Sequence, residues 1–224
     1  MLNKLDIIDL KNNIKDKLAL PLLNKESHKK MMPDTVEHYI QKLKHNSLPI
    51  ESSVLIILCE YESRVSVVLT KRAIDNRSKH SGQISFPGGK KEVIDRDNAQ
   101  TALREAKEEI NVNIEQVELL GQLSELYIPV SNFVVYPFVC YYKGNPLFEG
   151  DQEEVAEIIF GELEPLLNES NVKYSEMHLD NIDFRIPYYD VSGHVVWGAT
   201  AMILSEFIDV VNSDNRIGEK GAKI

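Results

Sequence analysis

Glu105, Glu108 and Glu109 crowd the end of the stretch "QTALREAKEEINVN". On a helix, residues three and four apart are neighbours, so all three carboxylates share one side. Such crowding costs about 0.2–0.5 kcal/mol for each like-charge pair, and about 0.3–1 kcal/mol for each carboxylate in a last turn, where cations are preferred. A divalent cation would turn that repulsion into binding energy, because Mg²⁺ and Mn²⁺ favour carboxylate oxygens together with water and substrate phosphate. The competing reading is a solvated acidic face softened by Arg104 and Lys107.

The segment upstream tips that balance. "SFPGGKK" supplies a stiff Phe-Pro corner and then Gly88 and Gly89, whose backbone can approach a ligand closely. Between residues 71 and 91 stand six basic residues, Lys71, Arg72, Arg77, Lys79, Lys90 and Lys91, against a single Asp75. A basic loop beside an acidic helix end suits a polyanionic substrate held by metal and side-chain cations together, in preference to a loop that merely balances the acidic helix.

The elements that must position these groups can be read from periodicity. Ala99, Ala102, Leu103, Ala106 and Ile110 fall on one face of a helix capped by Asp95 or Asp97 and closed by Asn111 in a left-handed conformation. "SSVLIILCEY" and "RVSVVLTKR" read as strands joined by a tight turn at Glu62-Ser63, with a short strand at 83–86. Further strands are expected at "VELLGQLSEL", "FVVYPFVCYYKG", "FRIPYYDV" and "HVVW", a helix or turn from Val155 through "LEPLL", and a last helix over "GATAMILSEFIDVV". Near the start, Leu2, Leu5, Ile8 and Leu10 suggest an amphipathic helix, and "DTVEHYIQKLKHN" a second one. The pattern predicts an α/β (α+β) fold with a mixed β-sheet between helices. Its expected organisation is a helical extension over 1–48, one domain over 49–211 and a tail over 212–224.

Composition narrows the class. With 224 residues, 43% hydrophobic, the chain can bury a full core, while a formal net charge of −10 argues against nucleic acid as a partner. Cys59 and Cys140 lie in apolar runs and read as reduced core residues. No run approaches the roughly 18 apolar residues of a membrane span. Asp6 and Asp9 interrupt what a signal peptide would keep apolar, so a soluble cytoplasmic protein without membrane contact is expected.

The stretch from Gly89 to Val112 resembles the signature of the Nudix hydrolases: a Gly, five residues, a Glu, seven residues, then Arg-Glu-x-x-Glu-Glu-x-Gly. Gly89 matches the first Gly, and Arg104, Glu105, Glu108 and Glu109 match the core. Asp95 replaces the first Glu, the following spacer is one residue longer, and Asn111 replaces the last Gly. The resemblance implies a Nudix-type α/β/α sandwich, with Mg²⁺ or Mn²⁺ on Glu105, Glu108, Glu109 and the Gly89 carbonyl. Glu105, Glu108 and Arg104 would serve catalysis. Glu154 is a candidate for a further carboxylate reaching the site, or else an exposed residue at a helix start.

"LTKRAIDNRSKHSGQISFPGG" is similar to an additional motif of the coenzyme A pyrophosphatase branch, with one extra residue between Arg77 and Gly82. "EEVAEIIF" and "VVWGATAMIL" resemble later segments of the same enzymes. On that resemblance Arg72, Arg77, Gly82, Phe86 and Gly88 bind substrate. The substrate would be coenzyme A or an acyl or oxidised form, cleaved to 3′,5′-ADP and 4′-phosphopantetheine. Trp197 is read as core in preference to a pantetheine pocket, and the N-terminal helices offer an interface for a homodimer. The alternatives are hydrolysis of another nucleoside diphosphate derivative, such as ADP-ribose or NADH, and a non-catalytic nucleotide-sensing domain.

Overall fold

The computed structural model describes residues 6–33, 43, 45–74, 82–179 and 182–213. The expected helix over 34–46 falls mostly outside them, as do Arg77, Lys79, His80 and most of the expected tail.

Strand β1 (Ile50–Tyr61) runs through the middle of an eight-stranded mixed sheet. Along one side it lies parallel to β7 (Phe133–Tyr142), which also pairs with β5 (Val117–Gln122) and β6 (Leu126–Ile128). Along the other side, its second half turns at Glu62 and Ser63, both with positive φ, into antiparallel β2 (Arg64–Arg72). The outer edge of β2 pairs with β8 (Val155–Glu162). Beyond the turn, β1 and β2 part, and the gap between them is filled by two short strands. Here β3 (Ile84–Ser85) pairs with β2 and β4 (Gly88–Lys90) pairs with β1. Hydrogen bonds from Leu55 N to the Pro87 carbonyl (2.8 Å) and from Arg72 N to the Gln83 carbonyl (3.0 Å) tie this wedge to both strands.

Strand alternation divides the core. Leu55, Ile57, Cys59, Val68 and Cys140 face helix α3 (Asn98–Ile110), which buries Ala102, Ala106 and Ile110 against them. The two small alanines let the helix lie close to the sheet. Asp97 caps it by accepting from Gln100 N at 2.8 Å, worth about 1 kcal/mol. Asn111 closes it at φ 54°, ψ 40°, as expected from the sequence. Ile56, Leu58, Val67, Leu69 and Val139 face the other way, onto α5 (Gly198–Asn212), α1 (Ile7–Leu18) and α2 (Lys25–Lys29). The result is the α/β/α layering expected. Among the described residues no helix is long and apolar enough to cross a membrane.

Several elements differ from expectation. The first helix buries Ile7, Leu10 and Ile14, while Ile8 is 47% exposed, because the helix begins after its Asp6 cap and turns that face to this chain's own α5 and β5. The segment from Val155 is strand β8; only Leu163–Leu166 (α4) is helical, because Val155, Ile158, Ile159 and Phe160 favour a strand and pair with β2. β10 (Ile182–Val191) and β11 (His194–Trp197) form, with β9 (Val172–Leu179), a separate three-stranded sheet. Trp197 is half-buried at the start of α5, neither deep core nor free.

Candidate functional site

The wedge brings Gly88 and Gly89 against the last two turns of α3. Gly88 N donates to Glu109 Oε2 at 3.1 Å, and a side chain there would collide with the Ser53 carbonyl and Val54. Next to it, the bare Cα of Gly89 leaves a slot occupied by the Glu105 carboxylate; a Cβ at Gly89 would stand 2.5 Å from Glu105 Cδ. The two glycines are therefore required by close approach of β1 on one side and of carboxylates on the other.

Glu109 is only 4% exposed. Burial pushes its carboxyl up to about 7, against the pull of the Gly88 N–H and of Arg72, and with a further push from Glu105 and Glu154. Arg72 Nη1 stands 3.9 Å from Glu109 Oε1. Glu105 is half-buried and is also raised, by burial first, with Arg104 opposing and Glu108 and Glu154 adding. Glu108 is exposed.

Arg104 is the hub of the cluster. Its Nε and Nη2 grip both oxygens of Asp95 at 3.0 and 2.9 Å, Nη2 also donates to the Lys90 carbonyl at 2.9 Å, and Nη1 reaches Glu105 at 2.9 Å and Glu108 at 2.8 Å. This side chain, expected in catalysis, has its donors committed to holding the wedge, the 92–97 loop and two glutamates in place. Asp95 is not the helix cap. Its hydrogen bonds to Arg104 hold its carboxyl well below the usual range, and Glu92 N and Thr101 Oγ1 complete its shell.

The remaining expected residues divide. Arg72 is at the cluster, and Glu154 is exposed but close enough for its charge to raise both Glu105 and Glu109. Its position follows from Asp151 N donating to the Glu109 carbonyl (2.8 Å) and Ala73 N to the Glu154 carbonyl (2.8 Å), which pin residues 151–154 to the helix end. Gly82, at φ 70°, borders open space. Phe86, expected to touch substrate, is 2% exposed in the main core, so its side chain anchors the wedge from beneath. Arg77 lies outside the described residues. Nor does the basic loop converge as a whole. Lys71 pairs with Glu157 at 3.8 Å and Lys90 lies 5.7 Å from the Phe133 ring centroid, both on the sheet face opposite α3, while Lys91 binds Glu51 at 3.0 Å.

Two features had no signal in the sequence reading. Ser53 is buried beside Gly89, and its hydroxyl has no hydrogen-bond partner among the described residues. Glu206 is wholly buried on α5, where His28, Ser124 and Asn24 surround it. The strand pattern could have placed Ser53 on the α3 face; nothing local foretells Glu206.

Among the described residues no three His, Cys, Asp or Glu side chains converge into a ready metal cage. The donor set nonetheless fits a hard divalent cation. It offers carboxylate oxygens, one pair of them on a group raised chiefly by burial and further by its neighbouring carboxylates, beside a glycine whose missing side chain lets the Glu105 carboxylate in.

The profile of the NUDIX domain matches residues 49–177, more than half of the chain. A protein described as an uncharacterized Nudix hydrolase NudL of Yersinia enterocolitica is 36% identical over 162 residues, covering 72% of this chain and 81% of that one. Its counterpart from Yersinia pestis is 35% identical over 162 residues, 72% of this chain and 79% of that one. Among solved structures, a MutT protein from Methanosarcina mazei is similar with TM-score 0.48 and 18% identity, covering 76% of this chain and 100% of that one. The chain belongs to the Nudix family, hydrolases of diphosphate bonds in small nucleotide derivatives that typically use divalent metals.

Proposed function

We propose that the chain hydrolyses the diphosphate bond of coenzyme A, or of an acyl or oxidised form, to 3′,5′-ADP and 4′-phosphopantetheine. The observation that carries this reading is Arg72. It closes the Leu69-Thr70-Lys71-Arg72 segment that resembles the coenzyme A pyrophosphatase motif, and its guanidinium reaches the most buried carboxylate of the cluster. A half-exposed arginine there gives a phosphate-rich substrate a bidentate partner beside the glutamates.

Glu105, Glu108 and Glu109, with the Gly89 carbonyl, are the groups that would hold Mg²⁺ or Mn²⁺, which when bound neutralises the diphosphate and lowers the pKa of water. The residues of the chain do the rest. Arg104 keeps the glutamates in register, and the bare Gly88 and Gly89 let β1 and the Glu105 carboxylate approach the wedge closely. In the reaction, a water oxygen bonds to one phosphorus and the bridging P–O bond breaks, its electron pair leaving on the other phosphate. The water's proton passes to a carboxylate; half-buried Glu105 would take it in the alternative arrangement, in which Glu108 and Glu109 alone hold the metal.

The test is to supply coenzyme A, ADP-ribose and NADH separately with Mg²⁺ or Mn²⁺ and to resolve the products by chromatography. Release of 3′,5′-ADP from coenzyme A at the highest kcat/KM is the expected result. Preferential cleavage of ADP-ribose or NADH would overturn the coenzyme A assignment and leave the family chemistry standing. Inertness toward all three would favour a nucleotide-sensing role.

A further inference from the structure

Ser53 sits in the first half of β1, on the face that sends Leu55 and Ile57 to α3. The residue is 0% exposed, and among the described residues its hydroxyl has no hydrogen-bond partner. A buried hydroxyl left unpaired is destabilising, a cost that alanine at the same place would not incur. Its surroundings suggest what the hydroxyl serves. Ser53 is the direct cross-strand partner of Gly89. Side chains so opposed have Cβ atoms roughly 4.5–5.5 Å apart on one face. Gly89 contributes no side chain, so the place beside the Ser53 hydroxyl is the slot that the Glu105 carboxylate enters. From the other side Glu105 is held by Arg104 at 2.9 Å. The hydroxyl and the carboxylate thus approach one slot from two elements, across the one position in the wedge where a side chain would keep them apart.

We propose that Ser53 is a positioning residue for Glu105. Its hydroxyl donates a hydrogen bond to the Glu105 carboxylate, directly or through one buried water, when that carboxylate turns from Arg104 to take a divalent cation. The inference rests on the reading of Glu105, Glu108 and Glu109 as the cation site. Hydrogen bonds of this kind fix the orientation of a ligating carboxylate, and their loss typically weakens metal binding roughly 10–100-fold.

The experiment is a Mn²⁺ titration, followed by calorimetry and by the melting temperature, on the full chain, Ser53→Ala, Glu105→Ala and the double variant. Ser53→Ala is expected to melt without metal at or above the wild-type temperature, since an unpaired polar atom has been removed, yet to bind Mn²⁺ about tenfold more weakly or worse. In the Glu105→Ala background the same change is expected to leave the Mn²⁺ affinity where it was. Equal affinity of wild type and Ser53→Ala would overturn the proposal. So would a Ser53→Ala chain that melts well below wild type without metal, since the hydroxyl would then have a structural partner. Wild type that binds no Mn²⁺ would instead refute the cation site on which the inference stands.

Discussion

Glu109 and Glu206 are two buried glutamates, 4% and 0% exposed, on helices packed against opposite faces of the same sheet. Around Glu206 the protein has built a complete shell. Ser124 donates through its hydroxyl (2.6 Å) and its N–H (3.2 Å), Asn24 through its N–H (3.2 Å), and His28 Nε2 lies at 3.1 Å. Burial pushes its carboxyl up, yet His28 and Ser124 pull it further down, and it ends below the ordinary glutamate range. Glu109 has one backbone N–H, an arginine at 3.9 Å and two nearby glutamates, and it ends near 7. A buried carboxylate with a full set of donors is mortar: it joins α2 and its N-cap Asn24 to α5 and to the segment before β6. The under-satisfied one is where a ligand is wanted, because only an added positive charge completes its shell.

The largest expected effect separates the two roles outright. Glu109→Gln should reduce turnover on the order of 10³-fold, within the range set by losing a ligand or proton acceptor, with no loss of stability before metal is added. Glu206→Gln should do the reverse. It breaks a buried pair and should cost about 3 kcal/mol in denaturant unfolding, while turnover per folded molecule stays near wild type.

A glycine pair sharpens the same contrast. Gly89→Ala displaces only the end of a flexible side chain, the Glu105 carboxylate, so activity should fall roughly tenfold or more with a nearly unchanged melting temperature. Gly88→Ala meets the backbone of Ser53 and Val54, and soluble yield and melting temperature should both drop.

Acidity offers a finer test. Glu109 is raised from an ordinary 4.5 to about 7, so the stability it lends the metal-free protein is present below about pH 4.5 and lost as pH rises through 7. Glu206 is lowered, so its stability is present above the ordinary range and lost only as pH falls beneath it. Melting curves of Glu109→Gln should therefore lose pH dependence between about 4.5 and 7 relative to wild type, and those of Glu206→Gln only at lower pH. The rise in melting temperature given by Mg²⁺ should be larger at pH 8 than at pH 6, where protons compete for Glu109. The smallest effect is expected for Arg72→Ala, roughly a tenfold increase in KM measured with coenzyme A.

What was legible in the sequence was what local chemistry decides. The α3 helix announced itself through its apolar spacing, an aspartate before it and Asn111 after it, and the glutamates came with it. The strands of the first hairpin were as plain, because β1 is buried on both faces and reads as a continuous apolar run. The segment 155–162 is rich in strand formers, Val155, Ile158, Ile159 and Phe160, but Ala156, Glu157 and the following Leu163–Leu166 turn suggested a helix. In β9 the apolar positions shift from 172 and 174 to 177 and 179, so the sequence offered no sustained alternation to read. Which lysines of the basic loop face the site depended on register, and register depends on pairings between distant segments. Phe86 was expected to touch substrate on the motif resemblance alone, but the wedge turns its side chain into the core. The His28–Glu206 pair spans 178 residues, and no local rule connects its ends.

The most direct measurement is the rate of 3′,5′-ADP release from coenzyme A with Mg²⁺ at equal concentrations of folded wild type, Glu109→Gln and Glu206→Gln. Release by wild type and Glu206→Gln, with almost none from Glu109→Gln, is the result this account predicts. Equal rates for wild type and Glu109→Gln would contradict it, because the under-satisfied carboxylate would then be no part of the chemistry.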